Sequence, residues 1–244
     1  MEQDRPPTQH RKDDPELTRA AAGIRPRYRI DREHPIGGEM SDILRGITMR
    51  VRLPWLLQHY AEVPVLALFS FINGCISIGL MAAIAVATHS PFIFPSLGPT
   101  AFLFFYTPTA PAASPRNTII GHALGAGAGY LSLVMTGLTN AGPALAVGVT
   151  WSRVVAAGLS LGLTAGLMVL LRAPHPPAGA TTLIVSLGIL TRPEQLILLM
   201  GAVVLLTLQA IVINRLAGIP YPLWSPVREP AEVADPAQKR GQGH

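Results

Sequence analysis

The sequence predicts an all-α, polytopic membrane helix bundle. It divides into two repeats, read as inverted, each of long helix, broken half-helix and long helix. Three observations predict this. The charge is uneven: residues 1–54 hold 11 Lys/Arg and 9 Asp/Glu, whereas residues 55–216 hold five Arg and two Glu. Four apolar segments, roughly 64–88, 117–138, 145–171 and 195–216, reach the length of about 20 residues that a spanning helix needs. Two shorter apolar segments, Phe92–Tyr106 and Ala178–Leu190, stand between them, each opened or broken by prolines.

Residues 1–40 mix charges with prolines, as in Asp4-Arg5-Pro6-Pro7, and are expected to be a disordered cytoplasmic tail. In residues 41–60, Ile43, Leu44, Ile47 and Val51 keep a helical spacing with Arg45, Arg50 and Arg52 between them. With Trp55 and Tyr60 this suits an interfacial helix leading into the bilayer, though a plain juxtamembrane linker fits as well. Residues 61–216 form the transmembrane domain, with halves 61–140 and 141–216 meeting near Thr139–Pro143. Residues 217–244 are expected to be a short cytoplasmic tail. No signal peptide is visible, because the chain opens on a long polar stretch. The single cysteine, Cys75, lies in an apolar run and excludes an intrachain disulfide. The basic balance belongs to the flanks of the apolar block and gives no case for nucleic acid.

The two short segments carry the most specific signal. Pro174, Pro176 and Pro177 cannot continue a helix, because each lacks an N–H and fixes its φ. Pro177 suits a first helical residue, which would leave the N–H groups of Ala178, Gly179 and Ala180 free at the helix start. One reading is a half-helix whose positive end faces a pathway, since broken helices in lipid survive only where protein or a wet cavity surrounds them. The other is a Pro-rich loop that starts an ordinary helix. Pro95-Ser96-Leu97-Gly98-Pro99-Thr100-Ala101 is similar in character to His175-Pro176-Pro177-Ala178-Gly179-Ala180-Thr181. If both short segments cross, Arg116, Arg172 and Arg215 fall on the cytoplasmic side, in line with the positive-inside rule. Six crossings with both termini cytoplasmic follow, in a cell inner membrane. Inverted repeats with broken helices meeting near the midplane are typical of secondary transporters.

Helix N-termini are anion sites, because free N–H groups and the helix dipole both favour negative charge. Two such ends, Ser96, Gly98, Pro99 and Thr100 on one side and Pro177, Ala178, Gly179, Thr181 and Thr182 on the other, are expected to face one another and hold a small anion. No Asp or Glu lies inside the spans, which argues against a cation path lined by carboxylates. His175 and Pro176 belong to the same candidate site; the His175 ring either braces the proline turn or binds substrate or a proton. Arg116, Asn117, His122 and Arg153 are possible supporting residues. Arg116 and Arg172 are more simply topology anchors. Arg153 either holds an anion or snorkels to the interface, the latter preferred. His122 is either a packing histidine or a proton carrier. Asn73 and Gln209 are expected to bond between helices.

Gly121, Gly125 and Gly129 form one glycine stripe, and Gly158, Gly162 and Gly166 a second. Such stripes let helix backbones approach closely, here between these two helices or across a homo-oligomer interface. No metal site or cofactor is expected: two histidines without a nearby Cys, Asp or Glu make a poor metal site. No nucleophile–base constellation or phosphate loop is present, so an enzyme is disfavoured, an intramembrane metal-dependent one included.

Three of these pieces, in this order, are Pro95-Ser96-Leu97-Gly98-Pro99-Thr100-Ala101, Pro115-Arg116-Asn117 with Gly121-His122, and His175-Pro176-Pro177-Ala178-Gly179-Ala180-Thr181. Together they resemble the HPP family of integral membrane proteins over about residues 60–216. The resemblance implies a membrane transporter or channel for a small inorganic anion, since plastid and cyanobacterial members are associated with nitrite transport. Many bacterial members have no established activity. A membrane scaffold or sensor without transport is the alternative.

Overall fold

A computed structural model describes residues 52–226 of the chain. The expected tail 1–40, residues 41–51 of the interfacial segment and residues 227–244 lie outside the described residues. In chain order the helices are α1 (Leu53–His59), α2 (Glu62–Thr88), α3 (Leu97–Tyr106), α4 (Pro115–Met135), α5 (Ala144–Val147), α6 (Trp151–Leu170), α7 (Ala178–Ser186) and α8 (Pro193–Leu216). A single 3-10 turn, Pro111–Ala113, precedes α4. Among the described residues the fold is all-helical.

Four of these helices, α2, α4, α6 and α8, are long and apolar enough to cross a membrane. Their starts follow from local chemistry. Pro115 opens α4 where its missing N–H costs nothing, and the Ser114 side chain accepts from the Asn117 N–H. Thr150 caps α6 in the same way through the Arg153 N–H. At α8, Gln195 Oε1 reaches back to the N–H groups of Thr191 and Arg192. The expected helix 145–171 is divided. Gly148 takes φ +84°, a left-handed conformation that separates the short α5 from α6.

Hydrogen bonds fix which ends lie together. The Leu53 N–H donates to Ala217 O, so the start of α1 meets the finish of α8. Asn214 near that finish donates to Phe104 O at the close of α3. Arg116 at the start of α4 donates to Arg172 O beyond the close of α6. This set is called the near end. At the far end, Arg153 in the first turn of α6 donates to Ser186 O in the last residue of α7. The segment 89–106 therefore runs from far to near, and 173–190 from near to far. Each traverses the bundle as an extended lead followed by a half-helix.

Half of the most apolar stretch of α4 is buried, against 17% in α2 and 22% in α6, so α4 is the central helix and the other two lie on the outside of the bundle. The apolar core gathers Met81, Phe104, Phe105, Leu199, Leu206 and Tyr221. The glycine stripes have different neighbours. Cβ atoms added to Gly121, Gly125 and Gly129 would meet His175, Ala178 O and Val185, so this stripe seats α7 and its lead. Gly158, Gly162 and Gly166 have nothing within 4 Å at that position and line an open apolar groove with Val155, Leu159 and Leu163. The two stripes do not face each other.

Residues 217–226 do not leave the bundle as a tail. The Tyr221 hydroxyl donates to Ala113 O, and the Arg116 N–H donates to Trp224 O, so this stretch straps the 3-10 turn and the start of α4. Gln209 reaches Met81 Sδ on another helix, as expected, whereas Asn73 donates to Phe69 O within its own.

Candidate functional site

Between the two half-helices lies a buried group of histidines and hydroxyls. Thr100 comes from α3, Thr118 and His122 from α4, His175 from the lead to α7, and Thr181 from α7; all five side chains are buried. Gly121 makes the assembly possible. A Cβ there would lie 2.7 Å from His175 Cβ, so only glycine lets the His175 ring lie on α4 beside His122. His122 Nε2 is 3.2 Å from His175 Nε2 and 2.9 Å from Thr100 Oγ1. His122 Nδ1 is 2.7 Å from Thr181 Oγ1. His175 Nδ1 is 2.8 Å from Ala112 O, and Thr118 Oγ1 lies 3.4 Å from the same nitrogen.

The partners assign the protons. A carbonyl only accepts, so His175 Nδ1 carries hydrogen and its Nε2 presents a lone pair. His122 Nε2–H then donates towards His175 Nε2 and Thr100 Oγ1. His122 Nδ1 is left to accept from the Thr181 hydroxyl. Thr100 passes its own hydrogen to Ser96 O. With both rings neutral, this assignment satisfies every ring nitrogen, as buried polar groups require.

The start of α7 differs from the sequence expectation. The N–H groups of Ala178, Gly179 and Ala180 are not free. They donate to the carbonyls of His175, Pro176 and Pro177 at 3.0, 2.9 and 3.0 Å. The prolines impose a tight 3-10-like turn that consumes its own donors. Pro177 stands just before the helix, not as its first residue. At α3, the Leu97 N–H donates to Phe94 O, and Pro99 has none to offer. Gly98, Pro99 and Pro176 are exposed and turn away from the histidines. Gly179 faces Leu161 of α6 at 3.6 Å. What the two half-helices bring together is side chains, Thr100 and Thr181 on His122, and not two cradles of bare N–H groups.

Three hydroxyls of this region, Ser96 Oγ, Thr182 Oγ1 and Ser186 Oγ, are buried without a hydrogen-bond partner. Thr182 and Ser186 lie one turn apart on α7. On the near side, His175 lines a cavity of ≈ 620 Å³ together with Asn117, Met168, Arg172 and Pro176. Arg172 is exposed and has φ +49°, which turns the chain from α6 into the proline lead.

The guanidinium groups of Arg153 and Arg116 are engaged by backbone carbonyls. Arg153 is 2% exposed and does not snorkel. Its guanidinium donates to Ser186 O at 2.9 Å and Gly142 O at 2.8 Å, and it lies over Gly188, whose φ is +83°. It neutralises the carbonyl end of α7, where a cation is favoured. Arg116 does the same for α6 through Leu171 O and Arg172 O, and holds Asn117 Oδ1. Asn117 in turn donates to Pro111 O, fixing the turn that presents Ala112 O to His175. Thr118 and Ala112 were invisible as partners in the sequence. The one signal was spacing, since Thr118 precedes His122 by one turn on α4.

The family model described as the HPP transmembrane region matches residues 61–222. Two curated relatives from Dictyostelium discoideum are named only as transmembrane proteins. One, DDB_G0269096, is 35% identical over 53% of this chain and 44% of its own length. The other, DDB_G0273707/DDB_G0273361, is 30% identical over 61% of this chain and 40% of its own. The match thus spans less than half of each relative. No solved structure matches.

Proposed function

The chain belongs to the HPP transmembrane family, and we propose that it carries a small inorganic anion, nitrite-like in size and charge, across a membrane. One observation carries this. A hydrogen-bonding centre lies where the two broken segments meet, and its His175 borders a cavity that Arg172 lines and, among the described residues, no carboxylate does. A cationic mouth raises the local concentration of anions. Hydroxyls and imidazoles at the centre can replace part of an oxyanion's hydration. The unpartnered hydroxyls of Ser96, Thr182 and Ser186 supply further donors along the way. The chain is read as a transporter or channel, not an enzyme. The near end, with Arg52, Arg116, Arg172 and Arg215, is assigned to the cytoplasm of a cell with both termini inside. The open glycine groove on α6 is the candidate homo-oligomer face.

The test is nitrite-dependent flux into proteoliposomes of the purified chain, with chloride and glycerol as controls. Selective nitrite flux above protein-free vesicles is expected. Its absence at verified incorporation sinks the transport reading and returns the chain to a scaffold or sensor.

A further inference from the structure

We propose that the His122–His175 pair binds a proton that crosses together with the anion. This rests on the anion-passage reading and names its coupling ion.

The argument starts from where positive charge can arise. An anion in the middle of a membrane domain needs a counter-charge, because burying an isolated ion costs many kcal/mol. The N–H groups expected to provide it at α7 are spent on the His175, Pro176 and Pro177 carbonyls. Arg153 is spent at the far end on Ser186 O and Gly142 O. Arg116 is spent at the near end on Leu171 O and Arg172 O. Arg172 stands at the cavity, outside the centre. The remaining elements bring little charge: α3 ends on Tyr106, α7 has no titratable side chain, and α8 is charged only at Arg192, Glu194 and Arg215 near its ends. Tyr130 of α4 lies two turns beyond His122, and Tyr221 bonds to Ala113 O beside Ala112. Among the described residues, the imidazole pair is therefore the group at the centre that can become cationic.

The geometry suits a relay. Thr181 Oγ1, His122 Nδ1, His122 Nε2, His175 Nε2 and His175 Nδ1 form one continuous hydrogen-bonded line. A proton arriving at His122 Nδ1 displaces the one on Nε2 to His175 Nε2. His175 is then an imidazolium, with hydrogen on both nitrogens, and His122 is neutral in its other tautomer. Loss of the Nδ1 proton from His175 into the cavity leaves both rings neutral in their other tautomers, and reorientation of both rings restores the starting state. No bond other than N–H and O–H changes. The imidazolium supplies the counter-charge only while it is loaded. Proton and anion then move as a neutral pair.

The experiment uses the full chain in liposomes and measures nitrite uptake and internal pH together. Protein-free vesicles correct for leakage of undissociated nitrous acid. With a one-unit pH gradient, acid outside, leaked nitrous acid and a one-to-one pair lead to the same end point, about tenfold nitrite accumulation. The initial rate is therefore read: protein-dependent uptake above the leak is expected to rise with the gradient. Internal acidification matching uptake is expected, and both are lost in His122→Gln and His175→Gln. Folding of each variant is checked by monodispersity and thermal unfolding. If a variant does not fold, the wild-type gradient still decides. A protein-dependent nitrite flux above the leak that neither responds to the pH gradient nor moves protons overturns the proton site and leaves anion transport standing. Absence of any nitrite flux overturns both.

Discussion

Gly125 of α4 lies so close to Ala178 of α7 that a methyl group on Gly125 would sit 2.6 Å from the Ala178 carbonyl oxygen. The obstacle is backbone, which cannot rotate aside. Gly125→Ala is therefore expected to cost about 1–3 kcal/mol through overpacking, and to displace the histidine network. Gly162→Ala meets nothing within 4 Å, and Gly179→Ala meets only Leu161 Cδ1 at 3.6 Å. Both are expected to fold like wild type. Thermal unfolding in detergent checks the ranking. Equal midpoints for Gly125→Ala and Gly162→Ala would contradict it.

Arg153 and Arg172 are expected to separate stability from flux. Arg153→Met removes charged donors from the Ser186 and Gly142 carbonyls, a loss of about 1.5–3 kcal/mol for each such bond. Flux per folded molecule is expected to change little. Among the described residues the Arg172 side chain makes no bond that holds the fold, so Arg172→Gln is expected to raise the nitrite KM with an unchanged unfolding midpoint. A destabilised Arg172→Gln with wild-type KM would remove Arg172 from the anion's route.

Thr181→Val keeps the shape of the side chain but takes the donor from His122 Nδ1. Leaving that buried nitrogen unpaired is expected to cost about 1–3 kcal/mol. Thr181→Ser restores the hydroxyl and is expected to recover most of it. Valine and serine variants of equal stability would mean that Thr181 does not hold His122.

Tyr221 gives a pH-dependent signature outside the membrane. Burial pushes its phenol well above the usual value of 10.0. The folded chain therefore keeps the proton while the unfolded chain ionises. The contribution to stability is full below about pH 10 and is lost as pH rises beyond it. Tyr221→Phe lacks the bond to Ala113 O and is expected to be less stable at neutral pH, with a shallower alkaline loss. Parallel alkaline unfolding curves for the two proteins would contradict this.

The two ends of the bundle are open to labelling. Asn140 and Trp224 are both exposed, Asn140 in the loop between α4 and α5 and Trp224 in the near-end strap. In a background with Cys75 replaced, Asn140→Cys is expected to react from outside the cell and Trp224→Cys only after permeabilisation. Labelling of both from one side would refute the near-end assignment and the six passes.

By itself the sequence determined the class and the ingredients. Runs of apolar residues long enough to span, with charge confined to their ends, leave a membrane bundle as the stable outcome. Prolines at 95, 99, 174, 176 and 177 fit a helix only in its first turn or outside it, so the two broken segments were legible without coordinates. The Gly121–Gly129 stripe announced a close helix approach for the same local reason. Tertiary structure alone decided what the breaks present and what the stripe receives. Whether a helix start offers free N–H groups depends on where nearby carbonyls point, and here they turn inward and take the donors. Whether His122 and His175 meet depends on Gly121 letting a residue 54 positions later lie on α4, a separation no periodicity reports. Arg153 looked like an interfacial residue because composition shows charge but not the carbonyls of Ser186 and Gly142 that await it in space.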